Sequence, residues 1–176
     1  MLFAELKKDF ETHRKYCGYS SYWRVLRLPS IKILISYRIR TKARQLGIPL
    51  VSPLLALLER ILWGIELATD IQLGSVIILH PVGVVIGFGA ALGDGTSLCG
   101  SNTIGGRYRT QSEKEEISPQ IGKNVQIGCG ARILGSVTVG DRVSIGANAV
   151  VITDIPADSI AMGIPAKWRK VVHETN

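Results

Sequence analysis

Residues 127–151 read IGCGARILGSVTVGDRVSIGANAVV, and within them an aliphatic side chain returns every six positions: Ile127, Ile133, Val139, Ile145 and Val151. Glycine follows three of these directly, at Gly128, Gly140 and Gly146, and a small or β-branched residue lies four places on, at Ala131, Val137, Val143 and Ala149. An α-helix repeats every 3.6 residues and a half-buried strand every two, so neither holds such a frame. A period of six fits a parallel β-helix in which each hexapeptide supplies one short strand and one corner. The aliphatic residues then stack as inner ladders, and small residues allow the tight corners.

Outward from this stretch the frame passes back through Ile121 and, after a gap of seventeen residues, through Ile104, Leu98, Leu92 and Ile86. The gap holds GRYRTQSEKEEIS (106–118), too polar and charged to line a dry core, and reads as a loop thrown out from one coil. Further back, Leu67, Leu73 and Leu79 keep the six-residue step, with Ala68, Gly74 and His80 behind them. Ile86 comes seven after Leu79, which predicts one slip of frame around His80. Residues 1–65 follow helical spacing instead. One helix is expected over 2–16, a second from Pro29 through IKILISYRIRTKARQLG to a stop at Gly47, and a third from about Pro53 to Trp63. The expected fold is mainly β: an α-helical region over 1–65, a β-helix over 66–163, and a basic tail over 164–176.

With 46% hydrophobic and 20% charged residues among 176, the chain is globular, not disordered. Its charge of +7 is uneven: residues 1–65 hold 12 Lys/Arg against 4 Asp/Glu (+8), and residues 66–176 hold 9 against 10 (−1). The basic part suits an anionic membrane surface, an anionic polymer or simply a set of solvated helix faces. The most apolar stretch, LVSPLLALLERILWGI (50–65), is interrupted by Glu59 and Arg60 and is too short to span a bilayer, though it has the spacing to lie flat on one. Three cysteines, Cys17, Cys99 and Cys129, without paired spacing point to reduced thiols and a cytoplasmic setting, and no signal peptide is visible. His13 and His173 lie outside the coils, so a zinc site is not expected, and no nucleic-acid-binding motif is present.

The segments GIEL (64–67), HPVGVVIG (80–87), TIGG (103–106), the quoted repeat and GIPAK (163–167) resemble the hexapeptide-repeat acyltransferases, in particular the serine O-acetyltransferase-like group. The resemblance implies a left-handed parallel β-helix, a homotrimer with sites between neighbouring subunits, and acetyl transfer from acetyl-CoA to a hydroxyl without a metal. It makes His80 the general base, oriented by Glu66 or, failing that, Asp70, with the N–H groups of Gly105 and Gly106 facing the oxyanion. The CoA arm is expected along Cys129, Ala131, Ala147, Gly163, Pro165 and Ala166, its phosphates near Lys167, Arg169 and Lys170. Arg107, Tyr108, Arg109 and Ser118 would line the acceptor from the loop. Three positions depart from the serine-specific pattern: Leu79 stands where aspartate is typical, Ile117-Ser118-Pro119 replaces an Arg-His-Pro triplet, and the sequence ends in Asn176, not isoleucine. On those grounds the expected acceptor is a sugar or an exopolysaccharide or capsule precursor. L-serine is the alternative, and a non-catalytic structural β-helix the remaining one.

Overall fold

The computed structural model of the chain describes residues 2–106 and 118–171. Four helices come first: α1 (Leu2–Cys17), α2 (Tyr22–Leu26), α3 (Pro29–Gln45) and α4 (Val51–Trp63). The sequence reading anticipated three of them and missed α2, whose five residues are too few to show a period. Fifteen strands follow. They are β1 (Glu66–Leu67), β2 (Gln72–Leu73), β3 (Ile77–Ile78), β4 (Val85–Ile86), β5 (Ala91–Leu92), β6 (Ser97–Leu98), β7 (Thr103–Gly105), β8 (Gln120–Ile121), β9 (Gln126–Ile127), β10 (Arg132–Leu134), β11 (Thr138–Val139), β12 (Ser144–Ile145), β13 (Val150–Val151), β14 (Ser159–Gly163) and β15 (Ala166–Lys170).

Every third strand shares a sheet, which gives the three sides of a parallel β-helix: β1-β4-β7-β10-β13, β2-β5-β8-β11, and β3-β6-β9-β12-β14-β15. The repeat residues from Ile86 to Val151 are buried, and the small residues four places on, such as Ala90, Val125, Ala131 and Ala149, fill the same core. Two of those inner positions are polar, and the ladder bonds the Thr96 hydroxyl and the Asn102 amide nitrogen, while Asn102 Oδ1 stays buried without a partner. Thr96 donates its hydroxyl to the Gly122 carbonyl and accepts the Val125 N–H, and Asn102 donates to the Gly128 carbonyl.

Partners in adjacent coils are 18 residues apart where the period is undisturbed, as for Gln126 and Ser144. Thr103 pairs with Arg132, an offset of 29, eleven more than the undisturbed step. The first coil corrects the expected frame. Ile78, not Leu79, turns into the core. The step from β2 to β3 (Gln72 to Ile77) is five residues and that from β3 to β4 (Ile77 to Val85) is eight, so the β3–β4 corner carries two additional residues, His80 and Pro81.

A β-helix leaves unpaired backbone groups at its first coil, because no earlier coil exists to take them. Helix α3 lies over that end and supplies the partners. Arg40 Nη2 donates to the Leu67 carbonyl at 2.5 Å, Tyr37 Oη to Ile71 at 2.8 Å, and Arg38 Nη1 to Leu73 at 2.7 Å. Ser30 Oγ accepts the Ile78 N–H at 2.8 Å. The same hydroxyl meets His13 Nε2 at 2.7 Å, while His13 Nδ1 lies 2.7 Å from the Asp9 carbonyl. A carbonyl only accepts, so Nδ1 carries the proton, Nε2 accepts from Ser30, and the ring is neutral. Burial, the largest influence on it, holds the His13 pKa below 6.5. Arg38 also pairs with buried Asp9 at 3.2 Å, and Arg40 with buried Glu59 at 3.3 Å. Two cations of the basic region are therefore internal, not part of a solvated face.

At the far end β15 folds back antiparallel on β14, with Met162 opposite Lys167 and Ile160 opposite Arg169. The expected tail is thus a hairpin as far as Lys170, since an added strand takes up the open edge of the last coil. The cysteine expectation is also corrected. Leu98 pairs with Ile127, so Cys99 falls beside the Gly128–Cys129 corner, and Cys99 and Cys129 form a disulfide with Cα atoms 4.5 Å apart. Cys17 is the free cysteine. The thiol count therefore no longer argues for a reducing compartment. No described helix is long and apolar enough to cross a membrane.

Candidate active site

His80 occupies the two-residue enlargement of the β3–β4 corner with a left-handed backbone, φ 52°. That conformation is uncommon for a residue with a Cβ, and it throws the ring outward, where it is exposed. Beneath it lies Gly100, one coil later. A Cβ there would stand 2.5 Å from the His80 carbonyl oxygen, so only glycine admits the enlarged corner.

Below the histidine the corners stack in register. Ser101 N–H donates to the Val82 carbonyl, Gly130 N–H to Gly100 and Asn148 N–H to Cys129, each at 2.9 Å. Val82, Gly100, Cys129 and Ala147 are therefore successive rungs of one edge, spaced about 4.8 Å apart. Ile145 pairs with Ala161, which sets Gly163 on the rung after Ala147. The structure thus brings His80, Cys129, Ala147, Gly163 and the turn to Ala166 onto a single edge. Small side chains there leave the backbone open to an extended ligand, so the residues present fit the pantetheine arm of CoA. Ala131 does not join them: its side chain is in the core, and its N–H and carbonyl are taken by Gly128 and Thr103. Lys167 and Arg169 are exposed on β15, and Lys170 Nζ donates to the Ala157 carbonyl at 2.8 Å.

The other expected residues sit elsewhere. Glu66 lies on β1 and pairs with Arg60 at 3.2 Å, and Asp70 occupies the next corner, at the opposite edge of that sheet. Gly105 ends β7 in register with Leu134, and its carbonyl accepts the Gly135 N–H, whereas Gly106 lies beyond the strand and is exposed. Ser118 donates to the Phe88 carbonyl at 2.7 Å, which returns the loop to the same edge as Gly106. Arg107, Tyr108, Arg109 and Ile117 fall outside the described residues. His80 and the Gly105–Gly106 pair therefore stand at opposite edges of one sheet, on the order of 15 Å apart by strand rise. One chain does not bring them together.

Gly100 and Val82 escaped the sequence reading. The available signal was the two-residue surplus before Val82, which requires something below it to make room. Among the described residues no group of three or more His, Cys, Asp or Glu is placed to hold a metal ion.

Comparison with known proteins agrees with this architecture. The family model "Bacterial transferase hexapeptide (six repeats)" matches residues 118–153. The serine acetyltransferase of Helicobacter pylori (strain ATCC 700392 / 26695) is 37% identical over 147 residues, covering 82% of this chain and 84% of that protein. That of Synechococcus elongatus is 34% identical over 140 residues, 79% of this chain and 56% of the relative. Among solved structures, the serine acetyltransferase of Neisseria gonorrhoeae superposes with a TM-score of 0.85 at 25% identity, over 99% of this chain and 68% of that one. A serine acetyltransferase in complex with CoA gives 0.83 at 23% identity, over 96% and 69%, a likeness of fold. The fold is the left-handed parallel β-helix, and the chain belongs to the serine acetyltransferase family of hexapeptide-repeat acyltransferases.

Proposed function

We propose that the protein transfers the acetyl group of acetyl-CoA, the co-substrate of its family, to the hydroxyl of L-serine. The observation that carries this reading is the 37% identity to a named serine acetyltransferase across 84% of its length. It displaces the sugar acceptor expected from Leu79 and the loop triplet, since the curated relatives compared above are serine acetyltransferases.

In this reading His80, exposed and ungripped at its corner, takes the proton of the acceptor hydroxyl as that oxygen attacks the thioester carbonyl. It then returns the proton to the departing thiolate. A positioned base contributes typically ~10²–10⁴-fold. The oxyanion is met by Gly106, with Gly105 behind it, from a neighbouring copy in a homotrimer, because one chain holds base and glycine pair at opposite edges. Cys129, Ala147, Gly163 and Ala166 line the arm of the donor, and Lys167 and Arg169 meet its phosphates. Glu66 orients His80 only by giving up Arg60.

One observation favours a second reading. Leu79 presents an apolar, partly exposed side chain beside the base, and exposed Val82 follows it. An ammonium group gains nothing there, whereas a sugar face does. The test is thiol release from acetyl-CoA by the purified protein. Saturable turnover with L-serine is the expected result; turnover with a de-acetylated glycan and none with L-serine would replace it.

A further inference from the structure

Helix α4 turns a continuous apolar stripe to solvent. Leu50, Leu54, Leu57, Leu58, Ile61 and Leu62 are 77, 57, 51, 39, 68 and 62% exposed, at spacings that put them on one helical face. Leu46 and Ile48 extend the stripe into the preceding turn. Glu59, the helix's one acidic residue, is buried against Arg40. Between Thr12 and Gly64 the sequence holds no other acid, while Arg24, Arg27, Lys32, Arg44 and Arg60 are exposed. The surface is therefore leucine-rich, and the exposed acid beside it, Glu66, is paired with Arg60 at 3.2 Å.

We propose that α4 docks on an anionic lipid bilayer, lying in the plane of the headgroups. Thirteen residues make a helix about 20 Å long, too short to span the hydrocarbon core but suited to lie in its boundary. Charge selects lipid over a second copy of the chain: the internal pairs Arg38–Asp9 and Arg40–Glu59 are neutral, so the +8 of residues 1–65 lies outside them, and two such regions would repel where acidic headgroups attract. The docked helix is tied to the catalytic edge. Gly64 ends α4 in a left-handed conformation, φ 60°, and its carbonyl accepts the Gly83 N–H at 2.9 Å, three residues after His80. Binding by α4 thus sets the His80 corner close to the membrane surface.

The test is co-sedimentation of the full-length protein with phosphatidylcholine vesicles, with and without phosphatidylglycerol. Binding is expected to the mixed vesicles, to weaken with salt, and to fall by about tenfold or more in Leu57→Glu/Ile61→Glu. Leu50→Ser/Leu54→Ser, which adds no charge, should weaken it too. Both pairs are exposed, so circular dichroism and acetyl transfer in solution should match the parent. No binding to mixed vesicles overturns the proposal, as does undiminished binding by both variants. So does a drop in native mass of either variant by light scattering, which would show that α4 packs between copies. Because transfer is assayed without lipid, failure here leaves the acyltransferase reading standing.

Discussion

The carbonyl oxygen of His80 lies where the Cβ of any residue but glycine at position 100 would be, 2.5 Å away. The corner that carries His80 is thus licensed by the coil beneath it. Gly100→Ala must displace a backbone oxygen, not a flexible side chain. Overpacking of this kind costs typically ~1–3 kcal/mol of stability. The larger expected effect is on kcat, since the displaced residue is the proposed base. A variant with a small fall in Tm and unchanged kcat would show that the corner does not set the base.

The capping of the first coil by α3 gives a second expectation. Tyr37→Phe removes only the hydroxyl that meets the Ile71 carbonyl, leaving a buried acceptor unpaired at a cost of about 1–3 kcal/mol. Denaturant unfolding should show a lower midpoint with the slope unchanged. No loss would mean that solvent reaches that carbonyl.

His13 makes stability depend on pH. Burial lowers its pKa in the folded state from the ordinary 6.5, so the unfolded chain binds the proton more readily. The contribution of the neutral ring is full above about pH 6.5 and is lost as pH falls from there through the lowered folded value. Protonation would also cost Nε2 its acceptor role toward Ser30. In His13→Gln the stability curve should be flatter over that interval. Equal slopes in variant and parent would place the pH dependence on another group.

Much of this was written in the sequence. A six-residue period survives any reading of the corners, so the ladders from Ile86 to Val151 and the excursion between Gly106 and Ser118 could be found without coordinates. The first coil could not, because Ile78 and Leu79 are both aliphatic and either satisfies the inward position. Arg38 and Arg40 counted as surface charge, since composition does not tell a cation that solvates from one that caps a sheet. The Cys99–Cys129 pairing depended on how many residues leave the coil, and the polar run alone did not fix that number. Leu79 pointed away from serine, while the chain-wide likeness to serine acetyltransferases points towards it.

The disulfide predicts a thiol count. Native protein should show one reactive thiol, Cys17, and three after reduction and unfolding. The bond closes a loop across a separation of 30 residues, which in a chain-entropy view stabilises by about 3–4 kcal/mol. Reductant should lower the Tm of the parent and leave that of Cys99→Ser unchanged. Three reactive thiols in native protein would show that the pair is reduced in solution.

The separation of His80 from Gly106 makes the proposed shared site testable by mixing. His80→Ala removes the proposed base, and a bulky replacement at the exposed glycine, Gly106→Val, crowds the proposed oxyanion position without touching the core. Each variant alone should be nearly inactive, the first by at least the hundredfold usual for a lost general base. Co-expressed in equal amounts, the two chains would assemble into mixed rings. A site there joins the His80 edge of one chain to the Gly106 edge of the next, so about a quarter of the sites contain both intact groups under random cyclic assembly. Activity of the mixture should therefore rise to roughly that fraction of the parent's, and fall back when either variant is in large excess. If base and glycine pair instead served the same chain, every site would lack one of them, and the mixture would be as inactive as its components.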